Sequence, residues 1–405
     1  KDKHRIQTKL IHSGALRSQN NETSEAIYLT SGYIYNSAEE AEARFKGESD
    51  GYIYSRYSNP NLTMLEKKLC EMEGAESARL TSSGMAAVFW ALFTNLQSGD
   101  HIVAADALFG SCLSILRDIL PNYGIEVTIV RASKMEDWEK SIKKNTKVFF
   151  FETPTNPMLE IIDIWKLSQI AKENNIKVII DNVFATPLRQ RPMEFGADIV
   201  IYSATKHIDG QGRCLGGVIL GDAEFIENKL HDYLKHTGPA LSPFNAWIMM
   251  KGLETLSLRT DRQIDSAKKV ADYLVDLENI NGVIYPGHKS HPEYGIAQKQ
   301  MTGGGPIVTF KVNGGKKEAF DFLNKLALIK ISNNLGDART LITHPKTTTH
   351  RNLSEAECMN LGITDSTLRM SLGLEDIDDI IAGTYTIIVL TILSFCFLEI
   401  CLFMH

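Results

Sequence analysis

Five short stretches of the chain carry residue types suited to covalent and acid–base chemistry. The first is Ser203-Ala-Thr-Lys206, which directly follows an apolar run at 198–202. A lysine in an apolar pocket loses proton affinity and becomes nucleophilic enough to form a Schiff base with a carbonyl. The hydroxyls of Ser203 and Thr205 can bind phosphate oxygens. The plain alternative is a loop lysine in solvent. The second is Asp181, which ends the run Lys177-Val-Ile-Ile180. A carboxylate at a buried strand end needs a cationic partner, and a protonated ring nitrogen would supply one. A turn or cap role before Asn182 is the competing reading.

The third stretch, Thr81-Ser-Ser-Gly-Met-Ala-Ala87, passes from a short small-residue run into a helical pattern at 85–96. The amides of Gly84 and Met85 would open that helix, where free N–H groups and the dipole favour a phosphate. A simple Ser cap explains the pattern equally well. In the fourth, Glu152-Thr-Pro-Thr-Asn-Pro157, Asn156 lies between two prolines and could hydrogen-bond a phenolate or a carboxylate, or shape a turn. The fifth is Arg369 in Thr367-Leu-Arg-Met-Ser371. A guanidinium matches a carboxylate bidentately. On an edge strand it would instead be a solvated charge.

Each of these stretches needs an element to hold it. Apolar runs at 101–105, 126–130, 147–151, 177–180, 198–202 and 216–220 alternate with helical stretches at 85–96, 111–120, 134–143 and 163–173. Continuous Val/Ile/Phe runs are the mark of strands buried on both faces. Their alternation with helices predicts a mostly parallel α/β sheet, whose ligands bind beyond the strands' carboxyl ends. The motifs at 152–157, 181 and 203–206 all fall just there. After 220 the pattern predicts a helix at 222–236, a long helical region at 243–277, and a smaller α+β domain with strands at 307–312 and 368–372. The first sixty residues show little periodicity and read as an arm that wraps a neighbour or covers a site. The division expected is an arm at 1–60, a large domain at 61–255, a C-terminal domain at 256–382 and an anomalous tail at 383–405.

The chain has 405 residues, 43% of them hydrophobic, and a formal net charge of −6. That suffices for a large core, and no basic run favours nucleic acid as a partner. The six cysteines form no CxxC pair and read as reduced core thiols of a cytoplasmic protein. No apolar leader is in view at the start. The tail, Thr384-Tyr-Thr-Ile-Ile-Val-Leu and onward, is nearly uncharged and about as long as the roughly 20 residues of a membrane span. A shifted reading frame is the first explanation for it, followed by a packed terminal helix and then a membrane anchor on a catalytically silent protein.

Taken together, the motifs resemble the Cys/Met-metabolism family of pyridoxal-5′-phosphate (PLP) enzymes, of fold type I (aspartate-aminotransferase-like). The matching runs are Tyr54-Ser-Arg56, Ser83-Gly-Met-Ala86, Glu152-Thr-Pro-Thr-Asn-Pro157, Asp181-Asn182, Asp198-Ile-Val-Ile-Tyr-Ser-Ala-Thr-Lys-His-Ile-Asp-Gly-Gln-Gly212, Ser242-Pro243, Gly252-Leu-Glu-Thr255, His344-Pro345 and Leu368-Arg369. The resemblance implies that Lys206 carries PLP as a Schiff base and that Asp181 pairs with its ring nitrogen. By the same token Gly84, Met85, Ser203 and Thr205 bind its phosphate, and Tyr54 and Arg56 reach the phosphate of a neighbouring subunit. Asn156, Asn334 and Arg369 hold the substrate. The implied assembly is a homotetramer of dimers with shared sites, with no metal and no nucleic acid. Where many members stack a Tyr on the ring, this chain has Phe109. It also has Asn333-Asn-Leu-Gly336 in place of a Ser-Leu-Gly, and His207 in place of an aromatic residue after the lysine. These variants look most like members in which sulfide displaces succinate from Cγ of O-succinylhomoserine, a γ-replacement yielding homocysteine. Cystathionine γ-synthase, or a cystathionine or methionine γ-lyase, is the alternative within the family.

Overall fold

The computed structural model describes residues 4–384. Its centre is a seven-stranded sheet made of β1 (Ser77–Thr81), β2 (His101–Ala105), β3 (Glu126–Val130), β4 (Thr146–Glu152), β5 (Lys177–Asp181), β6 (Ile199–Ser203) and β7 (Gly217–Gly221). The strand order is β1-β7-β6-β5-β4-β2-β3. All pairings are parallel except those of β7, which runs antiparallel to both β1 and β6. The expected fold class, a mostly parallel α/β sheet with helices between strands, is the one observed. The direction of β7 has a local cause: the 204–216 link from β6 contains no helix, so the chain cannot cross over to a parallel position.

The sheet is buried on both faces, as its unbroken apolar runs require. Phe149, Phe150 and Phe151 are fully enclosed, each burial stabilising by about 1.5–3 kcal/mol. The two faces follow the two-residue period of a strand. Ile199, Ile201 and Ile219 pack into one cluster with Val103, Phe149 and Ile179. Val200, Tyr202, Val218 and Leu220 face the other way, onto Met64, Leu65 and Leu253.

A second sheet comprises β8 (Ile280–Ile284), β9 (Ile307–Val312), β10 (Lys330–Ile331), β11 (Leu341–Thr343) and β12 (Thr367–Ser371), in the order β10-β11-β12-β9-β8. The helix Leu256–Val275 packs on it through Ala267, Val270, Ala271 and Leu274, a spacing that lines one helical face.

Three expectations change. The arm is not aperiodic: it holds helices Ile6–His12 and Ala38–Lys46, the latter capped by the Ser37 side chain and ended by left-handed Gly47. The helical region at 243–277 is two helices, Pro243–Glu254 and Leu256–Val275, broken at Thr255, whose backbone (φ −109°, ψ 4°) leaves the helical path. Arg369 does not lie on an edge, because β12 is flanked by β11 and β9.

Among the described residues no helix is long and apolar enough to cross a membrane. The readings of the tail beyond Thr384 fall outside the described residues. Of the six cysteines, Cys70, Cys112, Cys214 and Cys358 are described, and all four are unpaired thiols.

Candidate active site

The carboxyl ends of β4, β5 and β6 share one edge of the large sheet, with Glu152 in register beside Asp181 and Asp181 beside Ile201. A cavity of about 250 Å³ opens there. Its walls include Ser83, Gly84, Met85, Phe109, Asn156, Asp181, Ser203, Thr205, Lys206 and Arg369. Residues scattered over nearly three hundred positions thus converge because parallel strands end on a common edge. Only Arg369 comes from the second sheet.

Lys206 follows β6 in the turn that leads to β7. Its Nζ donates to Asn334 Oδ1 at 2.5 Å. Burial pushes its ammonium down to about 8, the charge of Arg369 adds to that, and Asp181 opposes it. The amine therefore gives up its proton far more readily than a solvent-exposed lysine, and a sizeable fraction is neutral and nucleophilic near physiological pH. Asp181 closes β5, and its Oδ1 accepts from the Val183 amide at 3.1 Å. Burial raises its carboxyl to about 6, against the Val183 amide and the Lys206 charge. A buried carboxyl that titrates so close to neutrality is ready to pair with an incoming cation.

Behind Lys206 the helix Gly84–Phe93 points its N-terminus at the cavity. The Ser83 hydroxyl caps it by accepting from the Ala86 amide at 3.2 Å. The amides of Gly84 and Met85 have no intrahelical acceptor and are left for an anion. Gly84 is required by space: a Cβ there would stand 2.7 Å from Ser203 Cβ and 2.8 Å from its Oγ. The hydroxyl of Thr205 accepts from the Gly216 amide at 3.1 Å, which pins the loop. Phe109 caps the helix Gly110–Ser114 and forms part of the cavity wall.

Arg369 is 2% exposed. Its Nη1 donates to Asn156 Oδ1 at 2.9 Å, and its Nη2 to the carbonyls of Asn333 and Asn334 at 2.8 and 3.3 Å. Its Nε is buried without a hydrogen-bond partner. Phe184 lies under the guanidinium, 5.7 Å from ring centroid to Cζ. Asn156 is held in turn by His350, whose Nε2 donates to the Asn156 carbonyl at 3.1 Å. Burial, with the Arg369 charge, pushes His350 down to about 4, so its ring is neutral.

Tyr54 and Arg56 stand outside this cavity within one chain. Arg56 hydrogen-bonds the Lys235 carbonyl and stacks on Tyr54 and Tyr57 at 5.4 and 5.0 Å. Asn334 touches the site through Lys206. Glu152 was missed as a site residue by the sequence reasoning, although it ends an apolar run just as Asp181 does. Thr349, Cys112 and Phe184 also line the cavity without a sequence signal. His207, beside the lysine, is buried with both ring nitrogens unpartnered, and burial pushes it down to about 3.

A larger groove, about 800 Å³, lies along the helix Pro60–Glu73. Its charges are largely spent on one another, Arg79 on Glu66 and Glu227, and Lys9 on Glu71. The strand-end lysine Lys206 and the strand-end carboxyl Asp181 line the smaller cavity instead, which is therefore the candidate site.

Comparison with known proteins agrees with this geometry. The model of the Cys/Met metabolism PLP-dependent enzyme family matches residues 7–384. An O-succinylhomoserine sulfhydrylase of Mycobacterium tuberculosis is 48% identical over 376 residues, covering 92% of this chain and 93% of the relative. An L-methionine gamma-lyase of Fusobacterium nucleatum is 41% identical, covering 94% and 97%. Among solved structures, a Campylobacter jejuni protein described as an O-acetylhomoserine (thiol)-lyase, carrying N′-pyridoxyl-lysine-5′-monophosphate, superposes with a TM-score of 0.91. It is 32% identical, and the match covers 95% of this chain and 100% of that one. The residues present fit PLP: a buried amine of lowered proton affinity for its aldehyde, a buried carboxyl for its ring nitrogen, and a glycine-lined helix start for its phosphate. The cofactor is therefore PLP, and the chain belongs to the Cys/Met metabolism PLP-dependent enzyme family.

Proposed function

We propose that this enzyme replaces the γ-substituent of an activated homoserine ester, O-succinylhomoserine, with sulfide, releasing homocysteine and succinate. The observation that carries the chemistry is the buried Lys206 amine, its proton affinity lowered and its Nζ held by Asn334 in the cavity that Asp181 and Arg369 also line. The names of the relatives that are 48% and 42% identical support the choice of ester and nucleophile.

In this reading Lys206 anchors the cofactor, Asp181 pairs with its ring nitrogen, and Gly84, Met85, Ser203 and Thr205 hold its phosphate, with Phe109 against the ring. Bound PLP supplies an electron sink for charge developing at the substrate's Cα and Cβ. Arg369 receives the substrate carboxylate on its unpartnered Nε–H, its Nη2 being taken by the carbonyls of Asn333 and Asn334. Asn156 is kept in place by Arg369 and His350 and helps hold the substrate. Once displaced by the substrate amine, the Lys206 Nζ removes the Cα proton and carries protons toward Cβ. Asn334 Oδ1 fixes where that Nζ rests between transfers. Tyr54 and Arg56 of a second copy of the chain complete the phosphate cradle, with the 1–60 arm in the contact, so the working unit is at least a dimer, in a tetramer of such dimers.

A methionine γ-lyase activity is the second reading, favoured by the 41%-identical relative of that name. The purified enzyme should be given O-succinylhomoserine or O-acetylhomoserine with sulfide or cysteine, and separately L-methionine. The proposal expects homocysteine to form fastest from O-succinylhomoserine and sulfide. Faster thiol release from methionine would favour the lyase, and cystathionine as the main product would favour a synthase.

A further inference from the structure

Beside Asp181, on the neighbouring strand β4, stands a second carboxyl that the reaction described above does not use. Glu152 pairs in register with Asp181, strand against strand, a spacing of about 4.8 Å between backbones. Both side chains line the Lys206 cavity, and Glu152 is 3% exposed. Its Oε2 is buried and has no hydrogen-bond partner. Two ionised carboxylates can only accept hydrogen bonds. Side by side and out of water, they repel each other with nothing between them, and one of the two then keeps a proton.

The surroundings decide which one. Asp181 has the Val183 amide on Oδ1 and the Lys206 charge nearby, both favouring its anion. Glu152 has the Phe109 amide and the Arg369 charge, but its burial and the Asp181 charge work against ionisation, and its carboxyl is held well above the usual range. Cys112, on the helix Gly110–Ser114, faces both carboxyls, and burial holds its thiol protonated, so it adds no charge. A ring-nitrogen cation against Asp181 strengthens this order of ionisation.

We propose that Glu152 is a positioning residue that stays neutral and donates a hydrogen bond from its carboxyl to the Asp181 carboxylate, holding that anion in the orientation that meets the cofactor's ring nitrogen. The inference rests on the proposed pairing of Asp181 with that nitrogen. It assigns Glu152 no contact with substrate.

The test uses the PLP-loaded enzyme and its Glu152→Gln, Glu152→Leu and Asp181→Asn variants. Gln keeps a neutral donor, and Leu removes it at similar volume. In wild type, infrared difference spectroscopy at neutral pH should show a protonated carboxyl band that Glu152→Gln abolishes. The pH midpoint of the cofactor's visible absorbance should move by less than about half a unit in Glu152→Gln, since a neutral group replaces a neutral group. Glu152→Leu should weaken PLP binding about tenfold, the loss of one hydrogen bond to a charged group. A larger shift of the midpoint in Glu152→Gln, or the absence of a band assigned to Glu152, overturns the proposal, and both measurements stand even if the Leu variant fails to fold. So does unchanged PLP affinity in a folded Glu152→Leu protein. Asp181→Asn separates the two readings. If it leaves the absorbance and the affinity unchanged, the role of Asp181 fails; if it disturbs both while the Glu152 variants do not, only the Glu152 proposal fails.

Discussion

Arg369→Lys tests the proposal that Arg369 receives the substrate carboxylate. The guanidinium has five N–H hydrogens, and three acceptors on the protein are engaged: Asn156 Oδ1 and the carbonyls of Asn333 and Asn334. The unpartnered Nε–H is left for a ligand. Lysine keeps the charge and has no donor at that position. The charge-assisted hydrogen bond from Nε to the substrate, about 1.5–3 kcal/mol, is lost. Because the site is 2% exposed, solvent screening offsets little of that loss. The expected result is a fall of about 10- to 150-fold in kcat/KM, carried mainly by KM, with PLP content unchanged. Steady-state kinetics with O-succinylhomoserine and sulfide, together with PLP content from absorbance, measure both quantities. The Asn156 and Asn334 contacts are weakened too, so thermal unfolding of the variant shows how much of the effect is structural. A folded, PLP-replete Arg369→Lys enzyme with wild-type KM would refute the assignment of Arg369 to the substrate carboxylate.

Three further outcomes follow from the same geometry. The rate at which PLP becomes covalently attached to apo-enzyme, trapped with borohydride and located by mass spectrometry, should rise with a midpoint near pH 8 and level off about one unit above it, because burial pushes the Lys206 ammonium down from 10.5 to about 8. A rate still climbing toward 10 would contradict that shift, and Lys206→Ala should bind PLP with no covalent trap. Gly84→Ala places a methyl 2.7 Å from Ser203 Cβ. It should destabilise the fold by about 1–3 kcal/mol and lower PLP affinity more than thermal stability alone accounts for, as measured by denaturation with and without PLP. His207 is buried neutral and pushed down to about 3 from 6.5. Its contribution to stability is complete above pH 6.5 and is lost as pH falls toward 3, so His207→Phe should flatten the acid limb of the stability curve by about 1.4 kcal/mol per pH unit. An unchanged slope in chemical denaturation would show that the ring is solvated.

The sequence was most informative where the physics is local. Unbroken Val/Ile/Phe runs can only be strands covered on both faces, so β2, β4, β5 and β6 were legible together with their direction. The residue that ends such a run must lie at the ligand edge, which made Asp181 and Lys206 readable before any coordinates. Family resemblance supplied the cofactor and the expected place of Phe109 over its ring, while the helix start at Gly84 already pointed to a phosphate. The same rule applied to Glu152, but its neighbour Asn156 drew the attention, and nothing in one dimension says that two strand ends stand abreast.

What only the tertiary structure decided were relations between distant segments. Register across β4 and β5 makes Glu152 and Asp181 a pair. Burial of β12 between β11 and β9 turns Arg369 from a possible edge charge into an enclosed guanidinium bonded to Asn156. The shift of Lys206 toward neutrality belongs to its surroundings, because it comes from burial and from the Arg369 charge more than 160 residues along the chain. The physical reason is the same in each case. Residue type and period dictate which element forms and which face is apolar, whereas proton affinity and orientation depend on what the fold brings within a few ångströms, and proximity in space is not written in spacing along the chain.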